Sequence, residues 1–101
     1  MGKLIPKELL DNIPKLYETE DEKDPLCHIK LFTPDANFTW FIIEVSMDEN
    51  ICYGYVKGLE NELGYFSLEE ILDIRGSLKL PVEIDTSFKP TLLSIVKSSD
   101  V

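Results

Sequence analysis

Residues 38–45, FTWFIIEV, constrain the fold more than any other stretch because they are apolar on both faces of a strand. Side chains point alternately to the two faces of a strand. That alternation gives two apolar sets: Phe38, Trp40 and Ile42 on one face, and Phe41, Ile43 and Val45 on the other. Both sets need cover, so we predict an internal strand paired on both edges, with Phe41 and Ile43 in the main core.

Residues 51–76, ICYGYVKGLENELGYFSLEEILDIRG, predict a strand, a turn, a second short strand and a capped helix. Ser67 is a favourable helix N-cap, and Glu70 follows it at the spacing of a capping box. Gly76 suits the left-handed position after a helix. In the first strand, Gly54 permits a β-bulge or a close approach of two backbones.

The flanking segments complete an α+β pattern. Residues 27–32 alternate as a strand with one core face, and Pro6 suits the first position of a short N-terminal helix. Residues 18–25 form an acidic loop, and Pro81 restricts the alternating residues 78–84 to an edge strand or an extended arm. We predict an antiparallel meander sheet of three or four strands with short helices packed on it.

The length and composition indicate one domain over residues 1–101, because 101 residues with 44% hydrophobic content supply one core and are too few for two. Residues 92–96 are predicted to form a short C-terminal helix, and residues 97–101 a disordered tail. No apolar run reaches the length of a membrane span and no signal-peptide core is present at the N-terminus, so we expect a cytoplasmic protein.

The charge balance favours a basic partner. Nineteen acidic and ten basic side chains give a formal net charge of −9. Such a charge repels nucleic-acid phosphates and anionic membrane surfaces. The alternative interpretation is that the charge serves solubility alone.

Cysteine and histidine provide the first candidates for chemistry. His28 is the only histidine and follows Cys27, but adjacent residues of a strand point to opposite faces, which argues against a catalytic thiol–imidazole pair. A zinc site needs about four ligands, for which Cys27, His28 and Cys52 come first, completed by carboxylates of the acidic loop. Their spacing is not that of a strong zinc motif. We therefore predict no catalytic residue and no cofactor, with both cysteines reduced and buried.

A pair of carboxylates, Glu83 and Asp85, is the second candidate, because strand spacing places both on one face as acid–base chemistry requires. Any acidic chain offers such pairs. A structural ion-pair cluster with Arg75 is the preferred interpretation. The sequence has no glycine-rich phosphate loop and no basic stripe, so nucleotide and direct nucleic-acid binding are not expected.

Aromatic residues indicate a contact surface. The alternation places Trp40, Tyr53 and Tyr55 on one sheet face together with His28 and Lys30. If helices cover only the opposite face, this set is an exposed aromatic patch of the kind that binds partners. The alternative is that a terminal helix covers it as core.

Three segments, LFTPDANFTWFIIE, GYVKGLENELGYFSLEEILDIRG and LPVEID followed by FKP, together resemble a known family. They resemble the domain of unknown function 2958 family, which consists of small proteins encoded by plasmids, integrative elements and prophages. The likeness covers residues 4–92, and Lys79 stands where the family pattern has a glycine. The resemblance implies a genetic setting and no particular reaction.

Charge, aromatic pattern and this resemblance together lead to the expected function: a non-enzymatic acidic interaction protein of a mobile element. Its partner would be basic, such as a Cas9-type effector or a restriction subunit whose nucleic-acid channel the acidic side chains block. The expected partner-binding residues are Glu18, Glu20, Asp21, Glu22, Asp24, Trp40, Tyr53 and Tyr55. The alternatives are a small zinc-binding protein, a carboxylate-dependent enzyme, and a plasmid housekeeping subunit.

Overall fold

The computed structural model describes residues 5–75 and 78–98. Its elements in chain order are α1 (Lys7–Leu10), β1 (Leu26–Cys27), β2 (Ile29–Phe32), β3 (Thr39–Val45), β4 (Ile51–Lys57), β5 (Asn61–Ser67), α2 (Leu68–Leu72), β6 (Glu83–Ile84), β7 (Thr91–Leu92) and α3 (Leu93–Ser98). Five strands form an antiparallel sheet in the order β5-β4-β3-β2-β6, and β1 pairs with β7 separately. The predicted α+β class is confirmed. The meander of β2 to β5 gains a fifth strand, β6, at one edge.

Strand β3 is internal, as predicted, because it pairs with β2 on one edge and with β4 on the other. Both of its faces are covered. One face carries the Trp40 cluster: Ile5, Leu10, Ile13, Ile29, Leu31, Trp40, Ile42, Val45, Cys52, Leu68, Ile71 and Val82. The other face carries the smaller Phe41 cluster: Cys27, Phe41, Ile43, Tyr55, Leu93 and Val96. Phe41 and Ile43 are fully buried, but in the smaller of two cores rather than in a single main one.

A β-bulge in β3 corrects the predicted alternation. The pairing register shifts between Ile42 and Glu44, so Ile43 is the extra residue and Val45 moves to the Trp40 side. A one-residue shift moves every following side chain to the other face. The prediction that Val45 shares a face with Phe41 is therefore wrong.

Gly54, opposite Ile42 in β4, makes the close backbone approach that the sequence predicts. A Cβ atom built on Gly54 would lie 1.8 Å from the carbonyl oxygen of Phe41, closer than any side chain permits. Only glycine fits this position next to the bulge without moving the backbone.

The N-terminus of α2 is capped by two residues. The Ser67 hydroxyl accepts a hydrogen bond from the Glu70 N–H at 3.4 Å, and Oδ1 of Asn50 accepts one from the Glu69 N–H at 3.1 Å. The Arg75 guanidinium donates to the carbonyls of Leu72 and Ile74 at the other end. Gly76, the predicted left-handed residue, lies outside the described residues.

The C-terminal helix spans Leu93–Ser98 rather than residues 92–96, because Leu92 belongs to β7 and pairs with Leu26 of β1. Asp24 accepts hydrogen bonds from the backbone N–H and the hydroxyl of Ser94, at 2.8 and 2.7 Å, which holds the first turn of α3. The helix continues through Lys97 and Ser98, two residues that we expected in a disordered tail. Residues 99–101 lie outside the described part of the chain.

Candidate protein-binding site

A pocket of about 390 Å³ opens between residues 17–25 and the strands β3, β4 and β5. We call it the tyrosine pocket, after Tyr17, Tyr53 and Tyr65 in its wall. Its complete lining is Tyr17, Thr19, Glu20, Glu22, Lys23, Pro25, Ile43, Glu44, Tyr53, Leu63, Tyr65 and Leu93. The pocket thus combines aromatic rings, aliphatic side chains and carboxylates.

Glu44 at the base of the pocket is only 3% exposed, although it carries a carboxylate. Its Oε1 accepts a hydrogen bond from the Tyr17 N–H at 2.8 Å, and its Oε2 accepts two from Thr19, from the N–H at 2.8 Å and from the hydroxyl at 2.5 Å. No ion pair to Glu44 is found within residues 5–75 and 78–98. Backbone N–H groups and a hydroxyl, rather than a cation, compensate the buried carboxylate.

The β-bulge explains how Glu44 reaches the pocket. Simple alternation would place Glu44 beside Trp40 and Ile42, in an apolar core where its carboxylate would lack partners. The extra residue Ile43 turns Glu44 to the other face, opposite Tyr53 of β4. One inserted residue thus converts a core position into the base of a pocket.

Two of the three tyrosine rings pack against each other. Tyr53 and Tyr65 are cross-strand neighbours, and their ring centroids are 5.0 Å apart. Tyr17 is 63% exposed and Tyr65 56% exposed. Desolvation by its neighbours raises the pKa of Tyr65, and its interactions with the Tyr17 side chain and the Glu44 charge raise it further. Tyr65 is therefore a neutral phenol at neutral pH.

Tyr17 has a left-handed backbone conformation with φ of 74°, which residues other than glycine rarely adopt. Its N–H bond to Glu44 stabilises this conformation. The segment is also tied to β3 by the hydrogen bond from the Val45 N–H to the Pro14 carbonyl at 2.9 Å, next to a bridge between Lys15 and Val45. Tyr17 is thereby fixed beside the sheet although no helix or strand contains it.

The acidic segment, residues 18–24, is folded into successive turns. The N–H groups of Glu18, Glu20 and Glu22 each bond to the carbonyl three residues earlier. Glu18, Glu20, Asp21 and Glu22 are exposed, and Glu20 and Glu22 line the tyrosine pocket. Asp24 differs from them, because its hydrogen bonds to Ser94 hold α3 and lower the pKa of its carboxyl group. The segment therefore presents most of its carboxylates in a defined arrangement.

A family model for proteins of unknown function, DUF2958, matches residues 4–97. The chain belongs to the DUF2958 family. Neither the curated proteins nor the solved structures contain a significant match to it. In the described ranges, no helix is long and apolar enough to cross a membrane.

The aromatic face predicted for this DUF2958 protein is not formed. Trp40 lies opposite Val56 in the Trp40 cluster and is 5% exposed, whereas Tyr53 and Tyr55 belong to the other side of the sheet. Tyr55 is 7% exposed, and the Lys97 ammonium lies over its ring at 5.8 Å from the centroid. The prediction that Trp40, Tyr53 and Tyr55 share a face is therefore wrong, because Trp40 alternates to the opposite side.

Tyr53 is the only predicted aromatic residue that reaches the pocket, where Tyr17 and Tyr65 join it. Sequence reasoning missed both partners. The position of Tyr65 could have been predicted from the hairpin of β4 and β5. Strand pairing on either side of its turn places Tyr65 opposite Tyr53. The position of Tyr17 depends on Glu44, which is 27 residues away, and has no local signal.

The potential zinc ligands are distributed over both sides of the sheet. Cys27 lies in the Phe41 cluster and Cys52 in the Trp40 cluster, and both are free and buried. Burial raises the pKa of each thiol to about 12. His28 is half-buried, which lowers its pKa. The described part of the DUF2958 chain contains no group of three His, Cys, Asp or Glu residues that could hold a metal ion.

The carboxylate pair at β6 has a different ion partner from the expected one. Asp85 lies 3.6 Å from the ammonium of Lys30 and accepts hydrogen bonds from the N–H and hydroxyl of Ser87. These hydroxyl and N–H bonds lower the pKa of Asp85, and the Lys30 charge adds to the effect. Arg75 instead caps α2, so the predicted cluster of Glu83, Asp85 and Arg75 is not formed.

Proposed function

We propose that this DUF2958 protein is a non-enzymatic binding module that engages a basic protein through the tyrosine pocket and the acidic segment. The observation that carries the proposal is the presence of exposed Tyr17 and Tyr65 beside exposed Glu20 and Glu22. Tyrosine is enriched among residues that dominate binding energy, because it offers a large apolar ring and a polar hydroxyl. Surrounding carboxylates accelerate the approach of a positively charged partner and exclude acidic ones.

In its sharpest form the proposal is inhibition of a host defence nuclease in the bacterial cytoplasm. The resemblance to proteins of plasmids, integrative elements and prophages supports this setting by analogy. The nucleic-acid channel of a Cas9-type effector is positively charged, and so are the DNA-binding surfaces of restriction enzymes. A net charge of −9 lets the protein compete with phosphates for the lysine and arginine side chains there.

The proposal is tested by binding kinetics of the full-length protein against a Cas9-type effector and restriction subunits as explicit baits. We expect salt-sensitive association with one of them and inhibition of its DNA binding. Replacing Tyr53 and Tyr65 together with alanine should increase the dissociation rate, since both belong to the contact. Leu59→Ala is the control, because Leu59 is almost fully exposed and does not line the pocket.

Two results would overturn this function. One is the absence of binding above background to every bait and to every basic host protein recovered by affinity capture. The other is binding that the Tyr53 and Tyr65 replacements leave unchanged, which would place the contact elsewhere on the protein.

A further inference from the structure

The wall of the tyrosine pocket suits an organic cation. Tyr53 and Tyr65 lie with their ring centroids 5.0 Å apart, and exposed Tyr17 completes the aromatic wall. The face of an aromatic ring carries negative charge density and attracts guanidinium or ammonium groups. Because the Tyr65 hydroxyl remains protonated at neutral pH, this attraction comes from the ring and does not require a phenolate.

The charges around the pocket also favour a cation. Glu20, Glu22 and Glu44 contribute three carboxylates, and Lys23 contributes one ammonium, which leaves the lining with two net negative charges. Anions are repelled by this lining. Uncharged apolar ligands would gain the ring contacts but would desolvate the carboxylates without pairing them.

Glu44 retains the capacity to accept a further hydrogen bond. A carboxylate offers about four acceptor positions. Within the described chain, its Oε2 accepts two hydrogen bonds and its Oε1 accepts one. One position on Oε1 therefore remains for a donor that enters the pocket, and the low exposure of Glu44 would strengthen such a bond.

We propose that the tyrosine pocket binds an arginine side chain of the protein partner, with its guanidinium against the tyrosine rings and hydrogen-bonded to Glu44. This inference rests on the proposed binding function and specifies its contact. Arginine is favoured over lysine because its planar guanidinium stacks on rings and presents several donors in fixed directions. Glu20 and Glu22, which are exposed residues of the pocket lining, would attract the approaching guanidinium.

The test uses the full-length protein and three short peptides of equal length, rich in arginine, lysine or citrulline. Citrulline keeps the planar shape and most of the donors of arginine but lacks its charge. NMR titration should show binding of the arginine peptide, with resonance shifts concentrated at Tyr17, Thr19, Tyr53 and Tyr65. The lysine peptide should bind more weakly than the arginine peptide, and the citrulline peptide should cause no saturable resonance shift.

Variants distinguish the contact with the tyrosine rings from general electrostatic attraction to the acidic surface. Tyr53→Leu with Tyr65→Leu should weaken arginine-peptide binding about ten-fold, as expected for the loss of two cation–π contacts. Tyr65→Phe keeps the ring and should retain most of the affinity. Lys23→Gln removes the competing ammonium and should strengthen binding about two-fold to five-fold. A native spectrum of each variant shows that it is folded.

Charge controls complete the design. Glu20→Gln with Glu22→Gln should weaken peptide binding more than Glu69→Gln with Glu83→Gln, which removes the same charge from α2 and β6. Equal effects of the two pairs, or shifts spread over the whole acidic surface, would overturn the arginine pocket. If the arginine peptide fails while a bait protein still requires Tyr53 and Tyr65, the pocket chemistry is wrong and the proposed function stands. If no bait binds either, both are wrong.

Discussion

Thr19 binds the carboxylate of Glu44 twice, through its backbone N–H at 2.8 Å and its hydroxyl at 2.5 Å, although the two residues are 25 positions apart. Together with the Tyr17 N–H, these bonds fasten the acidic segment to the bulged strand β3. The contact defines the pocket as much as the tyrosine rings do, because it fixes the segment that carries Tyr17, Glu20 and Glu22.

Replacing Glu44 with glutamine should therefore destabilise the protein. The new amide group cannot accept all three hydrogen bonds, and its NH₂ would oppose N–H donors of Tyr17 or Thr19. We expect a loss of about 1 to 3 kcal/mol in the free energy of unfolding, measured by urea denaturation. Glu83→Gln, at an exposed residue of β6, is the matched control and should stay within about 0.5 kcal/mol of the wild type. Equal stability of the two variants would contradict the assigned role of Glu44.

Phe41→Ala should cost about 3 to 5 kcal/mol, because Phe41 is fully buried in the internal strand and its truncation leaves a cavity. Denaturant unfolding measures this loss, and exposed Leu59→Ala should change stability by less than about 0.5 kcal/mol. A loss below about 1 kcal/mol for Phe41→Ala would show that the site refills its cavity and that our packing of β3 is wrong.

Cys27 and Cys52 should react slowly with thiol reagents in the native protein and rapidly in denaturant. The thiolate is the reactive species, and burial raises both pKa values to about 12, so the thiolate fraction stays small at pH 8. Reactivity should increase as the pH rises towards that value. Rapid native labelling at pH 8 would contradict the burial of these thiols. Stoichiometric zinc in protein purified without added metal, lost on replacement of Cys27, His28 or Cys52, would contradict the fold itself, because the fold places the two cysteines on opposite sides of the sheet.

The parts of the fold that follow local rules could be predicted from the sequence. The internal position of β3 follows from its two apolar faces, and the start of α2 follows from Ser67, whose hydroxyl binds the first turn. The bulge at Ile43 could not be predicted from β3 itself, because it is defined by the pairing with β4, where Gly54 leaves room for the Phe41 carbonyl beside it. That single missed residue accounts for the error in the face assigned to Val45.

The candidate site was predictable only in part, for the same reason. Tyr53 and the acidic segment stand out by residue type, whereas the remaining members depend on contacts between distant residues. Tyr17 requires a left-handed backbone and a bond to Glu44, and neither leaves a local pattern. The wrong face for Trp40 has a different cause. Alternation defines the two faces within one strand, whereas the register between β3 and β4 decides which residues of the two strands share a face, and it pairs Trp40 with Val56 and Phe41 with Tyr55.

Lys79→Gly should raise stability by up to about 1 kcal/mol. Lys79 has φ of 62°, a left-handed conformation that glycine adopts without the steric cost that a Cβ atom imposes. Thermal unfolding measures the change. Lys89→Gly is the control. Lys89 does not have a positive φ, so this replacement should lower the stability of the protein or leave it unchanged. A decrease for Lys79→Gly as large as that for Lys89→Gly would show that backbone strain at Lys79 is negligible.

Neutralising Glu20, Asp21 and Glu22 together should slow association with a basic partner and leave the fold intact, because exposed charges contribute little to stability. Stopped-flow or surface kinetics at several salt concentrations would show a shallower salt dependence of the association rate. Dissociation should change less than it does after Tyr65 replacement. An unchanged association rate would mean that these carboxylates do not steer the partner.

β5 lies at the edge of the five-stranded sheet, and this position has a consequence for the protein in concentrated solution. In the described structure no strand pairs with the outer side of Asn61–Ser67, so its backbone N–H and C=O groups could join the same strand of another molecule and extend the sheet. Glu60 and Glu62 place negative charge along this margin, and two identical copies would repel each other. We therefore expect the acidic composition to oppose self-assembly through this edge, and we expect mild acid or high salt to weaken that opposition by neutralising or screening the carboxylates.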